Sequence, residues 1–163
     1  MPGASIKRIG LLSVALLVVA AAGLWAWQTR YAVSGSQGNF MEVRQAHSKA
    51  KAGEVVLVDV RRPSEWKASG VPASGHAITM HQDGKRFLSQ LLAAAGGDKT
   101  RPLALICATG GRTTWLQARL RKAGFNNLFN VTEGMKGSRY GSGWLKKGLP
   151  VRQWTGQASS KPQ

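Results

Sequence analysis

Two short apolar runs, Val55–Val60 (VVLVDV) and Leu103–Ile106 (LALI), restrict the fold of this sequence more than any other feature. Neither run alternates regularly between polar and apolar residues. A strand of that kind has both faces buried, which happens chiefly in parallel sheets covered by helices. Helical patterns flank the runs. Met41–Lys51 reads as a short helix. Asp83–Ala95 carries Phe87, Leu88, Leu91 and Leu92 at helical spacing and stops at Gly96 and Gly97. Thr113–Ala123 places Trp115, Leu116 and Leu120 on one side, basic residues elsewhere, and stops at Gly124. Ala77–Met80 and Leu128–Val131 are expected to add shorter strands, and Gly137–Gly148 reads as a glycine-rich loop. This alternation predicts an α/β fold, a parallel sheet with helices on both faces. In such sheets a reactive site lies beyond the carboxyl end of a strand, which points to the residues after Ile106.

The chain has 163 residues, room for one domain with a core and a further segment. That segment is N-terminal. Lys7 and Arg8 precede an uncharged stretch, 9–29, and Ile9 to Trp27 is almost wholly apolar. As a helix it spans about 28 Å, close to the roughly 30 Å of a bilayer's hydrocarbon. Trp25, Trp27 and Tyr31 stand where an interfacial aromatic belt would lie, and Lys7 and Arg8 belong on the cytoplasmic side. A cleavable signal peptide is the competing reading, with Ala20 and Ala22 as a small-x-small site. The apolar run continues past that site, which favours a single-pass anchor in a bacterial-type inner membrane. Both readings export the remainder to the periplasmic, extracytoplasmic side. The expected organisation is a short cytoplasmic N-terminus (1–8), an anchor or signal peptide (9–29), a small polar linker (30–39), a globular domain (40–154) and a flexible tail (155–163).

Lys and Arg number 23 against 7 Asp and Glu, a formal net charge of +16. The cations are spread along the chain, with no helix-turn-helix, zinc-finger or aromatic-basic RNA pattern, so nucleic acid is not an expected partner. A basic solvated surface, contact with anionic lipid and steering of small oxyanions all fit this balance.

Cys107 is the only cysteine, which excludes an internal disulfide and a Cys-rich zinc site. A lone thiol is either buried and inert or chemically active. Cys107 follows the LALI run directly and opens the segment Cys107, Ala108, Thr109, Gly110, Gly111, Arg112, Thr113. Two glycines let the chain curl tightly and turn backbone N–H groups inward as an anion nest. The N-terminus of the next helix and Arg112 add positive potential. All three effects favour thiolate over thiol and point to a nucleophile. No neighbouring base is visible. His76 and His81 are too close together and too isolated for a metal site.

These residues resemble the rhodanese superfamily. Asp59-Val60-Arg61, with Pro63, Glu65 and Trp66, is similar to the family's Asp-Val-Arg-x-Pro-x-Glu-aromatic stretch. Cys107, Gly110, Arg112 and Thr113 meet its Cys-x-x-Gly-x-Arg-Ser/Thr loop. Glu133-Gly134-Met135, Gly143-Trp144 and Gly148-Leu149-Pro150-Val151 close the pattern, which covers roughly Phe40 to Trp154. Ser69 to His76 departs from the family's Gly-His-Ile-Pro-Gly-Ala: Val71 and Pro72 are expected to fill the same turn, and His76 is not carried over. The resemblance implies a sheet of about five parallel strands and a sulfurtransferase in which Cys107 carries sulfur as a persulfide. The donor would be a small anion such as thiosulfate, the thiophilic acceptor cyanide or a thiol, and the resemblance implies no metal or organic cofactor. Phosphatases of the same fold, and arsenate reduction by a related loop, use a longer loop of the Cys-x5-Arg form, whereas position 113 here is threonine. A non-catalytic or complex-dependent module and a thiol-redox role are the readings from other classes. Asp59, Arg61 and Glu65 read as supporting ion-pair or hydrogen-bond residues. Arg112 has two readings, contact with the donor or an inward pair that holds the loop. Trp66, Trp115 and Trp144 are expected to pack in the core or against loops rather than to touch substrate, and His47 to lie exposed and inert.

Overall fold

The computed structural model describes residues 40–156. The expected cytoplasmic N-terminus, anchor or signal peptide and linker lie outside the described residues, as does the tail from Gln157 onward. No helix among the described residues is long and apolar enough to cross a membrane.

The chain order is β1 (Phe40–Met41), α1 (Val43–Lys51), β2 (Val56–Asp59), α2 (Pro63–Ser69), β3 (Val71–Pro72), β4 (Gly75–Ala77), α3 (Gly84–Ala94), β5 (Leu103–Ile106), α4 (Gly111–Lys122), β6 (Leu128–Val131), α5 (Gly143–Lys146) and β7 (Val151–Arg152). Five strands form one sheet in the order β1-β6-β5-β2-β4, with every pair parallel. β3 and β7 form a small antiparallel ribbon, so Val71 and Pro72 pair with Arg152 and Val151 rather than filling a free turn.

The apolar runs became strands because each has helices on both sides to bury against. Alternate residues of β2 and β5 point to opposite faces. Val56, Val58, Leu103 and Leu105 pack with Phe87 and Leu91 of α3 and Leu116 and Leu120 of α4. Leu57, Ala104 and Ile106 pack on the other face with Val43 and Ala46 of α1 and Trp144 of α5. Each fully buried leucine or isoleucine there contributes about 1.5–3 kcal/mol of hydrophobic stabilisation.

Helix ends follow local chemistry. Asp83 caps α3, its Oδ1 accepting the Arg86 N–H at 2.9 Å. Pro63 stands at the start of α2, and the Glu65 carboxylate turns back to accept the Arg62 N–H at 3.1 Å.

Several elements differ from expectation. Met41 pairs with Val131 in β1, and α1 begins only at Val43. The strand expected over Ala77–Met80 lies at Gly75–Ala77, where Leu57, Val58 and Asp59 supply its register. The helix after the cysteine opens at Gly111, two residues before Thr113, because Gly110 takes the left-handed conformation that allows an abrupt start. The glycine-rich stretch holds one helical turn, α5. α2 is two turns long, too short for periodicity to mark it. Trp66 and Trp144 are buried as expected, but Trp115 is 52% exposed and lies under the Arg119 guanidinium, 3.9 Å from its ring centroid. His47 is half-buried and meets Trp144 edge-on at 5.6 Å, not free in solvent.

Candidate active site

β2 and β5 are adjacent, yet β2 has β4 on its other side and β5 has β6. Strand order therefore reverses between them, and the carboxyl ends at such a reversal are where open α/β sheets place their ligand sites. Asp59 pairs in register with Ile106, which brings the residues that follow, Val60 and Cys107, to the same edge.

Cys107 is fully buried rather than open to solvent at this edge. Among the described residues, the backbone N–H that bonds its sulfur belongs to Gly110, at 3.2 Å. The predicted nest thus reduces to one N–H in this state, with the first turn of α4 directly behind it. Gly110 has φ +85, and a Cβ there would strike the Thr132 carbonyl. Ala108 is half-buried, Thr109 and Gly111 are exposed, and Thr113 is buried. The Thr113 hydroxyl stands 3.7 Å from the sulfur, 2.8 Å from the Gly110 carbonyl and 2.5 Å from Asn130 Oδ1.

The segment after β6 braces the loop from behind. Met135 N–H donates to the Cys107 carbonyl and Lys136 N–H to the Ala108 carbonyl, both at 2.9 Å. Gly134, just before them, has φ +66, and a Cβ would collide with the Ala108 backbone. The buried Glu133 carboxylate accepts N–H bonds from Val43 and Gly143, each at 3.2 Å, and pairs with Lys147 at 2.8 Å. Burial pushes this carboxyl up, but Lys147 and the two backbone donors outweigh it and hold it below its ordinary value.

The three supporting residues join two ion pairs. Asp59 and Arg61 are both fully buried and meet at 2.7 Å. Arg61 also donates to Ser69 Oγ at 2.9 Å and the Gly70 carbonyl at 2.7 Å, tying the end of α2 to the end of β2. Burial pushes the Asp59 carboxyl up, against the pull of Arg61. Glu65 and Arg112 form a two-pronged pair, 2.7 Å on each prong, so of the two readings of Arg112 the inward pair is the one observed. The Arg112 bond lowers the Glu65 carboxyl to about 2, against some desolvation. Its folded value lies below its free value, so the pair contributes fully above the ordinary carboxylate range and is lost as pH falls through about 2. Arg112 is in turn raised, first by its hydrogen bond to Glu65, against some desolvation. His81 is exposed beside it, 3.4 Å from the guanidinium, and is lowered by desolvation and by the charges of Arg62 and Arg112. His76 lies in β4, away from the loop.

Among the described residues, no three His, Cys, Asp or Glu side chains converge as a metal site would require. Asn130 is the site residue that sequence reasoning missed. Its one signal was a polar side chain inside a short, otherwise apolar strand, LFNV. Glu133 entered only through the motif that contains it.

Comparison with known proteins agrees with this geometry. The sequence profile of the rhodanese-like domain family matches residues 42–139. An uncharacterized protein of Rickettsia prowazekii is 26% identical over 98 residues, 58% of this chain and 80% of that protein. A crystal structure of a Mycobacterium tuberculosis protein is similar at TM-score 0.53 and 26% identity, covering 73% of this chain and all of that one (100%). The rhodanese-like domain of an Anabaena protein shares the fold at TM-score 0.56 and 20% identity, over 76% of this chain and 86% of that one. A human single-domain sulfurtransferase shares it at TM-score 0.51 and 19% identity, over 68% of this chain and 98% of that one.

Proposed function

The chain belongs to the rhodanese-like domain family, and from that premise we propose that it is a sulfurtransferase with Cys107 as the sulfur carrier. The observation that carries this reading is the placement of the lone cysteine. It follows β5 at the strand-order reversal, takes the Gly110 N–H at 3.2 Å and lies under the first turn of α4. That setting stabilises a negatively charged sulfur, both as thiolate and as persulfide. The thiolate attacks the outer sulfur of a donor such as thiosulfate. A new S–S bond forms, the donor's own S–S bond breaks, and sulfite leaves with the bonding electron pair. An acceptor, cyanide or a thiolate, then attacks the outer persulfide sulfur, and the Cys107 thiolate departs. The two half-reactions imply ping-pong kinetics. Because Cys107 is fully covered, the donor gains access only when groups above it move. The partly exposed Glu65–Arg112 pair is the part of the cover best suited to move, and opening it frees a guanidinium for the donor's anionic end.

Intact mass of the protein before and after thiosulfate tests this reading. The expected result is a gain of one sulfur atom that cyanide removes. Phosphatase turnover without any persulfide would overturn it. The burial of Cys107 also favours a second reading, a module whose loop is opened by a partner protein. Loading by free thiosulfate would dismiss that reading.

The apolar stretch 9–29 supports placement of this domain on the extracytoplasmic side of a bacterial-type inner membrane. The protein is expected to stay with membranes through carbonate washing. A mature chain that begins near Gly23 would replace the anchor with a cleaved signal peptide.

A further inference from the structure

We propose that Asn130 is a positioning residue that holds Cys107 back from ionising, acting through the single hydroxyl proton of Thr113. The proposal rests on the reading of Cys107 as the nucleophile. The Thr113 hydroxyl has one proton and three acceptors around it: Asn130 Oδ1 at 2.5 Å, the Gly110 carbonyl at 2.8 Å and Cys107 Sγ at 3.7 Å. Cys107, Thr113 and Asn130 are all fully buried, so each must find its partners within the protein.

The Asn130 amide is held one way round. Its Nδ2 donates to the Gly110 carbonyl at 3.2 Å and to Thr114 Oγ1 at 2.8 Å. Reversal would set the amide oxygen against that carbonyl. Oδ1 therefore faces Thr113 and takes its proton. The Gly110 carbonyl has other donors, the Thr114 N–H at 3.2 Å and the Thr114 hydroxyl at 3.0 Å. Among the described residues, Asn130 Oδ1 has Thr113 alone.

With Cys107 as a thiol, S–H donates to Thr113 and Thr113 donates to Asn130, so every group is satisfied. When the sulfur becomes an anion it needs donors. The Gly110 N–H is one. The Thr113 hydroxyl becomes the second only by turning away from Asn130, which strands a buried acceptor. Asn130 thus favours the protonated resting state, and that state resists oxidation of a cysteine with no resolving partner. Other charges also bear on the sulfur: Arg112 with Glu65, the Asp59–Arg61 pair beyond β2, the Glu133–Lys147 pair behind the loop, and exposed His81. The test leaves all of them in place.

The test is the pH dependence of iodoacetamide alkylation of Cys107 in the full chain, read by intact mass, with thermal melts as a folding control. Restricted access of the reagent scales the rate at every pH and leaves the midpoint where it is. Asn130→Ala is expected to lower the midpoint by about one unit. Thr113→Val is expected to raise it by a similar amount and Thr113→Ser to keep it. In the Thr113→Val background, Asn130→Ala should add nothing, because its effect runs through the hydroxyl. Should Asn130→Ala not fold, Asn130→Ser, too short to reach Thr113, is expected to show the same fall. An unchanged midpoint in the folded Asn130 variant or in Thr113→Val, or a fall that persists in the double variant, would overturn the proposal. Alkylation needs no sulfur donor, so that failure leaves sulfur transfer standing. Expected midpoints with no persulfide would instead sink sulfur transfer alone.

Discussion

Replacing Cys107 with serine will leave the domain folded and cut sulfur transfer to below about a thousandth of its rate, as loss of a covalent nucleophile does elsewhere. The fold survives because a hydroxyl can keep the two contacts that the sulfur makes. The Gly110 N–H at 3.2 Å finds an oxygen acceptor, and Thr113 at 3.7 Å finds a hydroxyl partner. The surrounding core changes by one buried atom of similar size. The chemistry does not survive. A serine hydroxyl stays protonated near neutral pH, and its oxygen does not form a stable bond to sulfane sulfur. No second thiol in the chain can substitute, since Cys107 is the only cysteine. Thiocyanate formation, melting temperature and intact mass after thiosulfate check the prediction together. A variant that retained a tenth of the activity, or still gained sulfur, would remove Cys107 from the mechanism.

The second large effect falls on stability. Arg61→Met will cost about 3–5 kcal/mol, the usual result of stripping one partner from a buried pair. Arg61 is the counter-charge to Asp59 and at the same time the strap between β2 and α2. Its Nε lies 3.0 Å from both Asp59 oxygens, and its terminal nitrogens reach Asp59, Ser69 and the Gly70 carbonyl. Methionine fills the volume but leaves a buried carboxylate without its counter-charge and the Gly70 carbonyl without the Arg61 donor.

The pH dependence of this loss has a definite sign. Burial already pushes the Asp59 carboxyl above its free value, and removal of Arg61 pushes it further. A carboxyl raised in the folded state favours folding while protonated and loses that benefit as pH rises through its folded value. The variant should therefore lie closer to wild type at pH 4 than at pH 7. Asp59→Asn added to Arg61→Met keeps an acceptor for the Arg61 backbone N–H, which Asp59 Oδ1 now takes at 3.0 Å, and removes the charge. The double variant should be more stable than Arg61→Met alone at neutral pH. Urea midpoints at the two pH values decide this, and a single variant with an unchanged midpoint would show that the pair carries no stability.

These two residues also show how far the sequence could be read. Cys107 was legible because its signal is contiguous: an apolar run, a cysteine, two glycines and an arginine within one short stretch. Asp59 and Arg61 were legible only as ion-pair or hydrogen-bond residues, and the structure pairs them with each other. Trp115 misled because a large aromatic at helical spacing ordinarily faces a core. Here the core-facing side of α4 is already filled by Leu116 and Leu120, and Arg119 covers the ring instead. The short strand β4 was misplaced by two residues because its register comes from β2, not from its own composition.

The sequence by itself determined a parallel α/β sheet and a lone cysteine at a strand end before a helix. Both follow from local patterns of burial and backbone freedom. Only the tertiary structure decided what surrounds that thiol. The partners of Arg112, Thr113 and Val43 lie 47, 17 and 90 residues away in the chain. Contacts of that span are set by strand order and register, which place Glu65, Asn130 and Glu133 around one loop. The same packing buries Cys107, because the residues it clusters with come from distant parts of the chain that meet only in the folded sheet.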